Sequence, residues 1–327
     1  MTWTLYEGDN LAIMPTIQDK SIDLIIIDPP YNIGKAEWDK IPDYVEWLGA
    51  RFKECERVLK DNGSFYFFHN DMPQIAQLME WLRQNARFVF KSLITVDKKD
   101  NAFVIDLYGA QEHFRNYLNL AEYCLFYTFQ DETGLEVVTE QHIKPRHPFA
   151  KYLQEEFERA GVTRKELAAL FLSKTGGLTG CISNWLNGDN VITEEQYNMI
   201  RDYLNRGSGN YLRREYEDLR REYEAARYPF NEKKGRKNVW EYRFRENTKQ
   251  EHPTQKPVNL IEYIVGISSN KGDTVLDCFA GSGTTGIAAE NLGRNVVMIE
   301  KDAKYCNIIR KRMANRQTTI FEEGVTT

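Results

Sequence analysis

Cysteine is sparse in this 327-residue chain: Cys55, Cys124, Cys181, Cys278 and Cys306 stand far apart, with no C-x-x-C pair. That spacing argues against a disulfide framework or a zinc site and fits a reducing cytoplasm. No apolar run approaches the roughly 20 residues that span a bilayer, so no membrane partner is expected. The opening MTWTLYEGDN lacks the features of a secretory signal. Also missing is G-K-[ST], which removes the P-loop reading. There are no exact repeats and no low-complexity tract. What is present, 42% hydrophobic and 28% charged residues, suits one large domain or two ordinary ones with a packed core.

The net charge of −5 hides an asymmetry. Residues 141–250 hold 21 Lys and Arg against 16 Asp and Glu, whereas the remainder holds 22 against 32. An acidic body with a basic middle suggests a polyanion-binding segment inserted into something else.

The first ~130 residues alternate strand and helix patterns. Ile22–Ile27 is a continuously apolar run typical of a parallel strand covered on both faces. Tyr44–Leu59 places Val45, Leu48, Phe52, Cys55 and Leu59 at helical spacing, with Asn62-Gly63 as its stop. Ser64–His69, Phe88–Val96 and Tyr123–Phe129 read as strands, and Gln74–Arg83 as a helix. The last ~75 residues repeat the idiom: helix Val258–Ser268, strand Thr274–Cys278, helix Thr284–Leu292, strand Val296–Glu300, helix Ala303–Ala314. Neither flank completes a sheet alone. The economical solution is one doubly wound α/β domain from both chain ends, 1–132 and 250–327, interrupted by an insert over 133–249.

The insert reads as short helices at Phe149–Arg159, Arg164–Leu172, Leu178–Leu186 and Glu194–Leu204. A charged helix, Tyr211–Ala226, follows with Leu212, Tyr216, Leu219, Tyr223 and Ala226 spaced 4-3-4-3; it could brace the insert or pair with a second copy.

Two stretches carry chemistry. In IDLIIIDPPYN a buried strand ends in Asp28 and two prolines, which cannot donate backbone hydrogen bonds. In DTVLDCFAGSGTTG a strand runs through a glycine turn into a helix, where the backbone can approach a ligand and the helix N-terminus favours negative charge. The next strand ends in Glu300, the position at which Rossmann-like sites bind ribose hydroxyls.

Taken together, DPPY at 28–31, HPTQKP at 252–257 and DCFAGSGTT at 277–285 resemble the amino-methyltransferases that modify adenine N6 or cytosine N4 in DNA. With the DPPY motif first and the glycine loop last, the order is similar to the β class of that family. The resemblance covers roughly residues 5–130 and 250–315 and implies a Rossmann-like methyltransferase sheet, with the insert as a mostly helical target-recognition region. It implies S-adenosyl-L-methionine (AdoMet) as cofactor. Asp277, Phe279, Ala280, Gly281, Ser282, Gly283 and Thr284 would cradle its methionine part, and Glu300 would take the ribose. Asp9 would lie beside the cofactor adenine, Asp28 at the cofactor's edge, and His252, Thr254, Lys256 and Pro257 at its amino-acid end. Where many members carry an Asn-x-His-Glu-like stretch, this chain reads Asn119-Leu120-Ala121-Glu122, and no role carries over to Asn119 or Glu122.

On this reading DPPY is the catalytic motif: Asp28, Pro29, Pro30 and Tyr31. An exocyclic amine is a poor nucleophile because its lone pair is delocalised into the ring. The Asp28 carboxylate and the Pro29 carbonyl would accept its two protons, the prolines would make the turn rigid, and Tyr31 would stack on the extruded base. Trp38, Phe68 and His69 are candidates for the pocket wall. Aspartate at the first motif position goes mostly with adenine, serine with cytosine.

For DNA contact the sequence offers Lys233, Lys234, Arg236, Lys237, Arg243 and Arg245 around Trp240, Tyr242 and Phe244, the aromatics alternating as on a strand with one charged face. Residues 149–205 contain a stretch resembling a phage-repressor helix-turn-helix. Thr163 would cap its first helix, and Thr179, Ser183 and Asn184 on Leu178–Leu186 would face the groove.

The expected function is thus a site-specific DNA adenine-N6 methyltransferase acting on double-stranded DNA by base flipping, with a homodimer and a cognate restriction endonuclease as expected partners. The alternatives are a cytosine-N4 enzyme, a non-catalytic DNA-binding regulator, and a methyltransferase for RNA or protein amides.

Overall fold

The computed structural model describes residues 2–34, 39–98, 121–130, 148–173, 176–188, 190–227, 229–231, 237–242 and 255–323. The chain divides into two compact units, one built from Met1–Phe129 with Pro229–Thr327, the other from Gln130–Tyr228.

Among the described residues the first unit holds eight strands: β1 (Trp3–Glu7), β2 (Ile22–Ile27), β3 (Leu59–His69), β4 (Val89–Lys98), β5 (Ala121–Thr128), β6 (Val239–Tyr242), β7 (Thr274–Asp277) and β8 (Asn295–Glu300). They form one sheet in the order β1-β8-β7-β2-β3-β5-β4-β6. Strand β5 is antiparallel to both of its neighbours, and every other pairing is parallel. Strand β2 sits between β7 and β3, which explains its unbroken apolar run: Leu24, Ile25 and Ile27 are fully buried. From β2 the chain moves outward to β3, and from β7 the other way to β8. The order therefore reverses between β2 and β7, and crevices at such switch points are where open α/β sheets bind ligands.

Helix α1 (Asn10–Ile13) follows β1, while α2 (Tyr44–Val58) and α3 (Met72–Asn85) flank β3. The apolar stripe of α2 faces the sheet, with Phe52 packed on Phe65 at 5.5 Å and on Phe67 at 5.1 Å between ring centres. The stop expected at Asn62-Gly63 falls inside β3 instead. Leu59 is already extended, and the pairing register shifts between Ile22 and Leu24. Glycine is required there because a Cβ on Gly63 would lie 2.5 Å from the Leu59 side chain.

Strand β6 is the larger departure. It pairs in parallel with β4, Val96 opposite Trp240, so Val239–Tyr242, from the end of the expected insert, adds an edge strand to the main sheet among the described residues. Trp240 is buried, 5.2 Å from the Tyr263 ring and edge-on to it, with its indole N–H donating to the Lys237 carbonyl. The aromatics Trp240 and Tyr242 thus alternate with Glu241 as expected, but Trp240 serves the core. The unit boundary accordingly falls after Tyr228 rather than at residue 249.

The second unit contains α4 (Pro148–Ala160), α5 (Arg164–Ala168), α6 (Cys181–Asn187), α7 (Glu194–Leu204) and α8 (Tyr216–Ala226). Its own core includes Phe149, Leu153, Leu167, Trp185, Tyr197 and Ile200. Leu219 and Tyr223 join that core, so the apolar stripe of α8 braces this unit; the helix starts at Tyr216 rather than at Tyr211, and Leu212, with φ of 51°, reaches the same core from the segment before it. Thr163 caps α5 as expected, in a reciprocal capping box with Glu166. Both helices next to Gly176-Gly177 are shorter than their apolar patterns suggest. Leu172 bridges Leu178 across the glycines, and the Ser173 N–H donates to the Gly177 carbonyl at 2.8 Å. Thr179 consequently precedes α6 instead of lying on it, its hydroxyl donating to the Phe171 carbonyl at 2.8 Å. Ser183 and Asn184 are on α6, both half-buried. No helix among the described residues is long and apolar enough to cross a membrane.

The last two strands are linked to three helices, α9 (Val258–Ser268), α10 (Thr284–Asn291) and α11 (Ala303–Glu323), which belong to the first unit.

Candidate active site

A cavity of about 590 Å³ opens at the carboxyl ends of β2, β7 and β8, within the first unit. That volume is in the range of small-molecule sites, roughly 300–1,000 Å³. Its wall combines the DPPY turn, the glycine loop, the segment after β1, Glu122 from β5, and Lys256.

Asp28 leaves the end of β2 and is held from two sides. The Tyr31 hydroxyl donates to its Oδ1 at 2.6 Å, and the Lys256 ammonium to its Oδ2 at 2.7 Å. Each carboxylate oxygen keeps acceptor capacity for a further donor. Lys256 also reaches the Tyr31 hydroxyl at 3.1 Å and Glu122 Oε2 at 3.2 Å. It lies about 5 Å above the Phe68 ring and is itself buried. Burial opposes the lysine charge, but Asp28 and Glu122 more than offset it, and the ammonium is held above its ordinary range. Burial and the adjacent Asp28 raise the Tyr31 phenol well above its usual value, so it stays protonated and remains a donor.

The second proline is anchored by a directed chain. The Asp71 N–H donates to His69 Nδ1 at 3.1 Å, which leaves the proton on Nε2. Nε2 lies 3.0 Å from the Tyr44 hydroxyl, and that hydroxyl donates to the Pro30 carbonyl at 2.6 Å. Burial lowers the His69 pKa to about 4, so the ring is neutral at pH 7. His69 also packs on the Tyr31 ring at 4.9 Å. Of the candidates for the pocket wall, Phe68 lines the cavity and His69 supports the turn from behind, while Trp38 is outside the described residues.

On the opposite wall Asp277 ends β7, its carboxylate accepting the Phe279 N–H at 3.0 Å and the Thr285 hydroxyl at 2.6 Å. Burial pushes its pKa up to about 7. Gly283 caps α10 with φ of 79°, a conformation that favours glycine, and a Cβ there would meet Ile309 at 3.0 Å. Glu300 accepts the Gly281 N–H at 2.7 Å and the Asp302 N–H at 2.8 Å, tying the end of β8 to the loop. Ala280, Ser282 and Thr284 line the same cavity. Asp9 caps α1 and pairs with Arg51 at 3.6 Å, and the neighbouring Asn10 side chain donates to the Cys278 carbonyl at 2.9 Å.

The structure therefore brings together Asp9, Asp28, Pro29, Pro30, Tyr31, Lys256, Asp277, Phe279, Ala280, Gly281, Ser282, Thr284 and Glu300 around one cavity. Pro257 caps α9 beside Lys256. His252, Thr254 and Asn119 lie outside the described residues, as do Lys233, Lys234, Arg236, Arg243, Arg245 and Phe244. Lys237 is described and exposed. Sequence reasoning missed Asn10, Trp47 and Arg51. The Arg51 guanidinium stacks 3.6 Å from the Trp47 ring, inside the cavity wall. A charged residue among the buried positions of α2 was the available signal.

The sequence model of the N6/N4 family, described as DNA methylase, matches residues 22–311. The chain belongs to this DNA methylase family. Among curated relatives it is 29% identical over 320 residues to the DNA adenine methyltransferase YhdJ of Escherichia coli (strain K12), covering 95% of this chain and 82% of that protein. Among solved structures, an M1.HpyAVI–SAM complex has TM-score 0.52 at 21% identity, covering 95% of this chain and all of that one. The cytosine-N4-specific PvuII DNA methyltransferase has TM-score 0.55 at 13% identity, covering 93% and 84%. These two structures share the fold. Members of the family take their methyl group from AdoMet. The cavity fits that cofactor in size, in its glycine turn at a helix start, and in the carboxylate at the end of β8.

Proposed function

We propose that this methylase is a DNA adenine-N6 methyltransferase acting on a base rotated out of duplex DNA. The observation that carries the reading is the placement of Asp28: a carboxylate fixed by Tyr31 and Lys256 in the same cavity as the glycine loop. The cofactor supplies an electrophilic methyl group on a sulfonium. Everything else falls to the chain's own groups. Asp28 and the Pro29 carbonyl accept the amine protons and let the nitrogen pyramidalise toward the donor. Tyr44 holds the neighbouring Pro30 carbonyl and so fixes the turn. Alignment of this kind supplies roughly 7–11 kcal/mol in favourable systems. The residues assigned to AdoMet are Asp9, Asp28, Lys256, Asp277, Phe279, Ala280, Gly281, Ser282, Gly283, Thr284 and Glu300, with His252, Thr254 and Pro257 at the amino-acid end.

Adenine is favoured over cytosine because the motif opens with Asp28 and because the similar YhdJ protein is named an adenine methyltransferase. We assign target recognition to the helical unit and to the basic stretch around Lys237. Unmethylated duplex DNA incubated with the protein and AdoMet, then digested to nucleosides for mass spectrometry, should yield N6-methyldeoxyadenosine. N4-methyldeoxycytidine would keep the mechanism and overturn the base; no methylated nucleoside would overturn both. Replacing Lys233, Lys234, Arg236 and Lys237 together should weaken DNA binding and flatten its dependence on salt. An unchanged slope would remove this stretch from the contact surface.

A further inference from the structure

Gln74 belongs to none of the three motifs, yet its side chain is committed to one of them. It is the third residue of α3, behind the Asp71 cap, whose carboxylate accepts the Gln74 N–H at 2.9 Å. A polar cap with glutamate or glutamine three residues on closes a reciprocal box, in which the longer side chain accepts the N–H of the cap residue. This chain closes such a box at Thr163–Glu166 on α5 and at Thr193–Gln196 on α7, where Gln196 Oε1 accepts the Thr193 N–H at 3.0 Å. On α3 the box stays open. The Asp71 N–H goes to His69 Nδ1 instead, and the Gln74 amide turns to the Tyr31 carbonyl, donating at 3.1 Å. Gln74 Oε1, the atom a closed box would use, is left buried with no partner among the described residues. Leaving a buried acceptor unmatched costs stability that capping would recover.

What the open box achieves lies in the turn. The Tyr44 hydroxyl holds the Pro30 carbonyl at 2.6 Å, and Gln74 holds the next one. The peptide planes before and after Tyr31 are therefore both tied, one to α2 and one to α3. Fixing both planes fixes the direction of the side chain between them. Its hydroxyl is on Asp28 at 2.6 Å and its ring lies 4.9 Å from His69. We propose that Gln74 is a positioning residue for methyl transfer: it gives up its place in the helix cap to aim Tyr31 at Asp28 and the reacting base. Gln74 is not in the cavity wall, so it acts only through Tyr31.

This role rests on the methyltransferase reading, and Gln74→Glu separates it from a merely structural one. Glutamate keeps the size and suits the first turn of a helix, where it can close the box, but as a carboxylate it cannot donate to Tyr31. Its melting temperature should equal or exceed that of the wild type. Transfer of tritiated methyl from AdoMet to unmethylated duplex DNA should nonetheless fall about tenfold in kcat, with KM for both substrates within about twofold. Gln74→Met, which has neither the donor nor the acceptor, should lose a similar share of kcat, and it decides by the same split if Gln74→Glu does not fold. A structural residue would leave the better-capped glutamate variant active. Wild-type kcat in the folded variant, or a KM for AdoMet that rises along with the loss, would overturn the role while the methyltransferase reading stands. A wild type that methylates no DNA would overturn both.

Discussion

The cavity and the helical unit are built on opposite principles. In the cavity, side chains from distant parts of the chain meet through charge: Asp28 and Lys256 are 228 residues apart, yet 2.7 Å separates their polar atoms. The helical unit closes an apolar core, Phe149 to Tyr223, from one continuous stretch. Its buried carboxylate, Glu156, finds partners within the same unit, Arg159 at 2.6 Å and the Leu212 N–H. One region holds paired charges in place for chemistry; the other is an ordinary small core. Damage to the first should therefore cost function before fold, and damage to the second fold before chemistry.

The hardest test of that contrast is Asp28→Ala. Lys256 keeps Glu122 as a partner, so the protein should fold and bind AdoMet within a few-fold of the wild type, measured by calorimetry. Methyl transfer in a single turnover should fall by about a thousandfold; a surviving rate would displace Asp28 from the mechanism. On the other side, Trp185→Ala should destabilise the helical unit by about 3–5 kcal/mol. Limited proteolysis should then cut within Gln130–Tyr228 while calorimetry still finds the cofactor bound. Loss of cofactor binding would show that the two regions do not act separately.

Finer tests probe the support behind DPPY. Tyr44→Phe strands the Pro30 carbonyl and the His69 Nε2–H, at about 1–3 kcal/mol. It should lower kcat by about tenfold with AdoMet affinity unchanged, and an unaltered kcat would mean the turn needs no such anchor. His69 makes stability depend on pH. Its folded pKa of about 4 lies below the value of about 6.5 expected unfolded, so between them the unfolded chain binds more protons. The contribution is fully present above pH 6.5 and is lost as pH falls toward 4. Urea titrations should show a decline approaching 3 kcal/mol over that window, about 1.4 per unit, and His69→Gln should flatten it. The smallest effect is Thr163→Ala, about 1 kcal/mol from the lost cap of α5 by thermal melting.

The same contrast governs what could be read from sequence. Strand β2 announces itself because burial on both faces demands an uninterrupted apolar run, and the glycine loop because Gly283 must adopt a positive φ. Strand β1 gives no such signal: it is a short edge strand whose five residues are exposed or half-exposed. Strand β6 was legible as a strand but not as part of the main sheet, since its partner β4 lies far away in the chain and Lys237 drew attention to charge. Arg51, and the role of Glu122, were hidden for a related reason. A charged residue in a strand or helix pattern reads as surface until a distant partner, Lys256 or Asp9, is placed beside it. At Gly176-Gly177 the apolar spacing suggested longer helices than form, because Ser173 and the two glycines bond to each other instead of continuing either helix.

The central position of β2 between β3 and β7 has a consequence for how the protein is made. A ribosome that has passed Tyr242 but not Thr274 has released β2 through β6 while one side of β2, its most apolar strand, still has no neighbour. Asp28 waits as long for Lys256. The helical unit, whose core is contiguous in sequence, can close during that interval. Synthesis thus delivers a finished module flanked by an open sheet edge, a state that calls for chaperone protection until β7 and β8 emerge.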